Sequence, residues 1–335
     1  MKKLLFGIFT IAAMASCVKE QTVATQEPKV IAFENFVQHT KAAIDPSYNN
    51  GDNKLDAFYV WGFHTAPSGV VFDQELVSYD ATANAWTYTN LAYWAPEKEY
   101  KFAALAPVNN DKIQVTLANG NYMSAEGVLG TVAFENVDGK VDLLYAEDGV
   151  ITPTTIPSDP EKVALTFQHL LSKIKFTFTN GLSNQHSSMA ISNVKMVVPA
   201  KGTVDLAVKP YVWNVTENET VTLDFGQIID TADNDTQLAI TGVGEIENEL
   251  LTIPLATTQS VISTYTVEFD VTIYNGDQVA NTIHKTATIT GTTFQAGKCY
   301  NITAILNAEN LDLKPIDFTV TVEDWVDGGS IGFLN

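Results

Sequence analysis

Thr264-Tyr265-Thr266-Val267-Glu268-Phe269-Asp270-Val271-Thr272-Ile273 is the stretch that decides the fold. Apolar residues alternate with threonine or a carboxylate along the whole run. Successive side chains of a strand point to opposite faces, so this pattern sets Tyr265, Val267, Phe269, Val271 and Ile273 against a core and their neighbours in water. Asn275-Gly276-Asp277 follows, and these are residues that turn a chain back on itself.

The same period recurs on both sides. Lys175-Phe176-Thr177-Phe178-Thr179 and Asp317-Phe318-Thr319-Val320-Thr321-Val322 alternate in the same way. Val, Ile, Thr, Tyr and Phe fill these runs, as suits a pleated, half-buried surface. Turn clusters such as Asn49-Asn50-Gly51-Asp52-Asn53, Asn119-Gly120-Asn121, Asp138-Gly139 and Asp327-Gly328-Gly329 punctuate the chain. Helical periodicity is scarce. Its best instance is Pro160 to Ile174, where Val163, Phe167, Leu170, Leu171 and Ile174 recur at helical spacing. Val163-Ala164-Leu165-Thr166-Phe167 also alternates, and this predicts a strand, a turn at His169 to Ser172, and a second strand from Lys173. The fold class predicted is all-β, built of sandwiches.

The 335-residue chain is long for one domain and comfortable for two. Ile151 to Pro160 carries Pro153, Pro157 and Pro160, which excludes a central strand there. The organisation expected is a signal peptide over 1–16, a tether over 17–28, an N-terminal sandwich over 29–160 and a C-terminal sandwich over 161–335.

Lys2 and Lys3 precede a short apolar run, Leu4 to Met14, and then Ala15-Ser16-Cys17. This has the parts of a secretory signal and is too short to span a bilayer. A cysteine directly after Ala15-Ser16 resembles the lipobox of bacterial lipoproteins, with Met14 in place of the usual leucine. Cleavage and lipidation at Cys17 are expected, because several acyl chains at about 0.8 kcal/mol per buried CH₂ hold a protein firmly to a membrane. Residues 18–28 are polar and end in Pro28, as a tether should. Cys299 is the remaining cysteine, so with Cys17 acylated no disulfide framework is available.

The formal charge is −20 and arginine is absent. Such a field repels nucleic acid and anionic lipid. Lacking arginine, the chain has no bidentate phosphate clamp or arginine finger.

Constellations for catalysis are missing. His39, His64, His169, His186 and His284 include no His-x-x-x-His pair, and one spare cysteine cannot make a thiolate metal set. His169 lies near Ser172 and Lys173, a tempting nucleophile–base group. The favoured reading is a buried histidine whose ring caps a local turn. Asp230-x-x-Asp233-Asn234-Asp235 offers oxygens to Ca²⁺ but lacks the glycine and terminal glutamate of an EF-hand loop, so an Asx-rich turn is favoured. Trp61, Trp86, Trp94, Trp213 and Trp325 read as core aromatics, and Cys299 as a small hydrophobe. No cofactor, metal or enzyme activity is expected.

Several stretches together resemble the fimbrillin family, lipoprotein pilus subunits of gut and oral anaerobes. They are Ile31-Ala32-Phe33 with His39-Thr40-Lys41; Phe58-Tyr59-Val60-Trp61-Gly62-Phe63; Trp86-Thr87-Tyr88, Tyr93-Trp94-Ala95-Pro96 and Tyr100 to Pro107; Val163 to Ile174; and Phe294 to Tyr300 with Val322-Glu323-Asp324-Trp325. Their order covers almost the whole chain beyond Cys17.

The resemblance implies two tandem transthyretin-like (Greek-key) β-sandwiches and a subunit that assembles by β-strand donation. It also implies cleavage behind the first strand by a trypsin-like protease. Val30 to Val37 would be the removable strand, carrying Ile31, Phe33 and Phe36. Lys41 would be the cut site. Asp312 to Val322, with Ile316, Phe318, Val320 and Val322, would be the donor strand. Oral members are cut after arginine, so here either a lysine-directed protease acts or the strand is kept. Lys19-Glu20 resembles the charged export tag of surface lipoproteins. The implied place is the outer membrane surface or a fimbrium. Implied partners are other pilus subunits, the membrane through its lipid, and a host protein or glycan, with no nucleic acid. The rival reading is a glycan-binding surface lipoprotein using exposed aromatics such as Trp86 and Trp94.

Overall fold

A computed structural model describes residues 28–37, 55–65, 68–118, 128–151, 162–182, 187–207, 209–216, 218–230, 239–240, 242–246, 248–255, 264–312 and 314–325. These residues are almost entirely strand, with one short helix among them, Ala308–Asp312. The all-β expectation holds. Thr264–Asn275 and Gln278–Thr290 form an antiparallel hairpin, and Gly276 sits in its turn at φ 57°, a backbone shape that favours glycine.

The described strands make four sheets. The first runs, edge to edge, Phe33–Val37, Val163–His169, Leu144–Ile151, Tyr100–Ala106, Ala57–His64, Gly69–Asp80 and Ala85–Thr87. The second runs Ile228–Asp230, Val243–Ile246, Ser172–Asn180, Lys298–Leu306 and Thr319–Asp324, with Leu250–Thr252 also on Ser172–Asn180. The third runs Thr220–Gly226, Ser187–Pro199, Thr264–Asn275 and Gln278–Thr290, with Ala239–Ile240 also on Ser187–Pro199. The fourth runs Val212–Val215, Lys201–Asp205, Leu129–Glu135 and Ile113–Leu117.

The first sheet is covered on both faces. From Tyr100–Ala106, Tyr100, Phe102, Ala104 and Ala106 enter an aromatic-rich core with Phe33, Phe58 and Phe167. Ala103 and Leu105 enter a larger core that continues into the other sheets. Two covered faces explain why this strand reads as a continuous apolar run and does not alternate. Gly62 lets the layers close, since a Cβ there would lie 2.8 Å from the Phe102 and Phe72 rings.

Between the second and third sheets, Phe178 meets Phe269 at 5.0 Å and Phe176 meets Phe225 at 4.9 Å between ring centroids. The chain passes from the first sheet to the second through Leu170 and Leu171, both fully buried. Sheet membership crosses residue 160 in both directions. Val163–His169 lies in the first sheet, and Lys201–Asp205 pairs with Leu129–Glu135.

Candidate functional site: the two edge strands

The first described segment is sewn into the first sheet's edge. The amide N–H of Ile31 donates to Ala92 O at 2.9 Å, that of Trp94 to Lys29 O at 2.9 Å, and that of Val163 to Ala32 O at 2.8 Å. Val30 bridges Tyr93. Phe33–Val37 then runs parallel to Val163–His169, from Phe33 opposite Val163 to Val37 opposite Phe167. Ile31 is fully buried and Phe33 is 2 % exposed. The Phe33 ring lies 5.5–6.2 Å from those of Phe58, Phe72, Tyr88 and Phe102. Phe36 stands opposite Thr166 in the register.

The loop that receives this segment is itself held. Tyr88 donates its hydroxyl to Ile31 O at 2.6 Å, and burial pushes its pKa up to about 12. The Glu75 carboxylate accepts the N–H groups of Thr89 and Asn90 at 3.2 and 3.1 Å and the Asn90 side-chain amide at 2.8 Å. Partial burial works to raise the Glu75 pKa, but these three hydrogen bonds outweigh it and the net shift is downward.

The opposite chain end behaves differently. Thr319–Asp324 pairs antiparallel with Lys298–Leu306, from Thr303 opposite Thr319 to Lys298 opposite Asp324, and among the described residues no strand pairs with its other side. Of the stretch Asp312–Val322, Asp312 ends the short helix Ala308–Asp312 and Thr319 to Val322 lie in this strand. Asn307 caps that helix. Its side-chain oxygen accepts the N–H groups of Glu309 and Asn310 at 3.0 and 3.1 Å, an N-cap that starts a helix. Ile316 is buried, and Phe318 and Val320 are half-buried against the core. Val322 shares the core-facing side with Tyr300 yet is 52 % exposed.

Trp325 closes this strand. It is 3 % exposed, and its N–H donates to Gly297 O at 3.0 Å. Its ring stacks on His169, with centroids 3.6 Å apart and planes 8° from parallel. Lys173 Nζ lies 4.3 Å from the ring centroid. His169 Nδ1 in turn meets Asp142 Oδ2 at 2.9 Å. Lys298 and Asp324 form an ion pair beside it. A cavity of about 600 Å³ adjoins, with Tyr211, Trp213, Phe294 and Trp325 in its wall.

His169 is therefore buried, as expected, but the turn-capping role is corrected. Its partner Asp142 lies far away in sequence, and its ring serves Trp325. Ser172 is not its nucleophile partner, since Ser172 Oγ donates to Gln295 O at 2.7 Å. His64 meets Tyr100 edge-to-face at 5.7 Å, and His284 pairs with Asp270 at 2.8 Å. Trp61, Trp94, Trp213 and Trp325 are buried. Trp86 is half-buried against Phe58 and Tyr79, so neither Trp86 nor Trp94 is an open platform. Cys299 is half-buried and unpaired, and burial pushes its thiol pKa up. Cys17, Lys41 and Asp233 to Asp235 lie outside the described residues, and Asp230 ends a short strand. Among the described residues no three His, Cys, Asp or Glu side chains gather into a metal site.

A sequence model of the fimbrillin-like family matches residues 40–325. This chain belongs to the fimbrillin-like family. No curated protein matches it in sequence. Among solved structures, a fimbrial protein from Bacteroides vulgatus shares the fold of this fimbrillin-like chain, with a TM-score of 0.57 at 15 % identity over 89 % of this chain and 100 % of that one. A candidate cell adhesion protein from Bacteroides uniformis aligns with a TM-score of 0.48 at 17 % identity over 89 % and 98 %. For the fimbrillin-like chain, sequence reasoning missed the His169–Trp325 stack and the Glu75 clamp. Each joins residues remote in sequence, so periodicity carries no signal for them.

Proposed function

We propose that this chain is a cell-surface pilus subunit, anchored through a lipid on Cys17, that assembles by exchange of an edge strand. Membership in the fimbrillin-like family supports a structural, non-enzymatic role. The observation that carries the reading is the first edge. Loss of Val30 to Val37 would strip Val163 to Phe167 of their ladder partners and empty the Phe33 position among Phe58, Phe72, Tyr88 and Phe102. A strand edge with an apolar slot beside it is what an extended segment from a neighbour fills, main chain giving affinity and alternate side chains giving register.

Lys41 is the cut site in this reading, just behind the strand. Thr319–Asp324 is the donated strand, since its mostly exposed side chains tie it weakly to its own sheet. Limited trypsin treatment of the purified chain tests this. A fragment ending at Lys41 and subsequent growth of oligomers in light scattering are expected. A cut chain that releases the fragment and stays monomeric would contradict it.

A further inference from the structure

We infer that Val163–His169 couples the two chain ends, so that opening the first edge loosens the grip on the last strand. Along one side of this strand, Val163 to Phe167 pair with Phe33 to Val37. Two residues further on, His169 holds Trp325 in a stack at 3.6 Å. On its other side Tyr145 lies opposite Gln168 and Leu144 opposite His169. Val163 to Phe167 thus carry the first strand, while the imidazole at the end of the same strand stacks on Trp325.

Trp325 is the main tether of a weakly buried strand. Thr319, Thr321, Val322, Glu323 and Asp324 are all exposed and Val320 is half-buried, whereas Trp325 is buried, stacked on the His169 ring with Lys173 Nζ 4.3 Å from its centroid. Asp142, on the segment before Leu144–Ile151, meets the imidazole at Nδ1 at 2.9 Å. Displacement of Val163–His169 would misalign a stack that tolerates little sliding, because offset and spacing set its strength. Coupling of this kind is reciprocal, so weakening the Trp325 seat must loosen the first strand as well.

Such a link would impose an order. A subunit whose first strand is in place would keep its last strand docked, and an opened subunit would have that strand free for a neighbour. The use of the link rests on the strand-exchange reading, whereas the link itself does not.

Amide hydrogen exchange on the uncut monomer tests it. Phe33→Ala should speed exchange at Thr319 to Trp325 by about tenfold or more, and Trp325→Ala should speed exchange at Phe33 to Val37 by a comparable factor. The amides of Thr264–Asn275 and Gln278–Thr290 should keep wild-type rates in both variants, and Trp325→Phe should restore most of the protection. Acceleration confined to the mutated end would overturn the coupling. Equal acceleration that includes the Thr264 to Thr290 hairpin would also overturn it, by assigning the effect to global unfolding. Failure of cut subunits to polymerise would sink the strand-exchange reading and leave these rates unaffected.

Discussion

The two edge strands solve opposite problems. Phe33–Val37 closes the first sheet in parallel register and sends Phe33 into an aromatic core. Thr319–Asp324 closes the second sheet in antiparallel register but keeps most of its side chains in water. One acts as a seal, distributed over backbone pairing and a buried ring. The other acts as a latch, paired along its backbone and most deeply buried just past its end, at Trp325. Removing a seal leaves a groove, while removing a latch frees a strand. A subunit that takes one strand and gives another needs both kinds of edge.

Substitutions that attack each device should separate them. Phe33→Ala deletes a buried ring, and large-to-small changes of this type cost about 3–5 kcal/mol. It should give the largest loss of thermal stability among these variants, read by calorimetry. Trp325→Ala should cost about 3 kcal/mol, the low end for such truncations, because the site lies at a sheet edge. A double-mutant cycle with His169→Ala should return a coupling of about 1 kcal/mol, as aromatic pairs give. Zero coupling would remove the stack from the account.

A smaller effect concerns the loop that receives the first strand. Glu75→Gln should cost about 1 kcal/mol at pH 7, since charge-assisted hydrogen bonds at a partly exposed carboxylate are worth little more. The Glu75 pKa is lowered on folding, so its contribution is complete above the ordinary value of 4.5 and fades as pH falls through the folded value. The gap between wild type and Glu75→Gln should therefore narrow on acidification below that point, read by denaturant titration across pH. Smallest of all, Val322→Thr at the open edge should change stability by no more than about 0.5 kcal/mol, as exposed substitutions do.

Period two in Thr264 to Ile273 and Lys175 to Thr179 was enough to expect strands with one face inward, and the hairpin turn at Asn275-Gly276-Asp277 lies where its chemistry directs. The same logic placed a strand, a turn and a strand across Val163 to Asn180, as observed. Just before the alternating run, an Asn307 cap starts one helical turn that ends at Asp312. Phe33 was legible as part of a strand, but its parallel partner was not, because nothing local in Val163 to Phe167 says which strand will lie beside it. The role of Trp325 was hidden for the same reason. Its meaning depends on His169, Lys173 and Asp142, which only the folded chain brings together.

The central claim is that the first strand must leave before a subunit can join another. Glu34 and Ala164 are register partners, so the pair Glu34→Cys and Ala164→Cys, with Cys17 and Cys299 changed to Ser, would lock that strand in place as a disulfide. After trypsin treatment, the oxidised protein should remain monomeric in light scattering and the same sample should form oligomers once reduced. Oligomers of equal size and rate from the oxidised, locked protein would contradict the account.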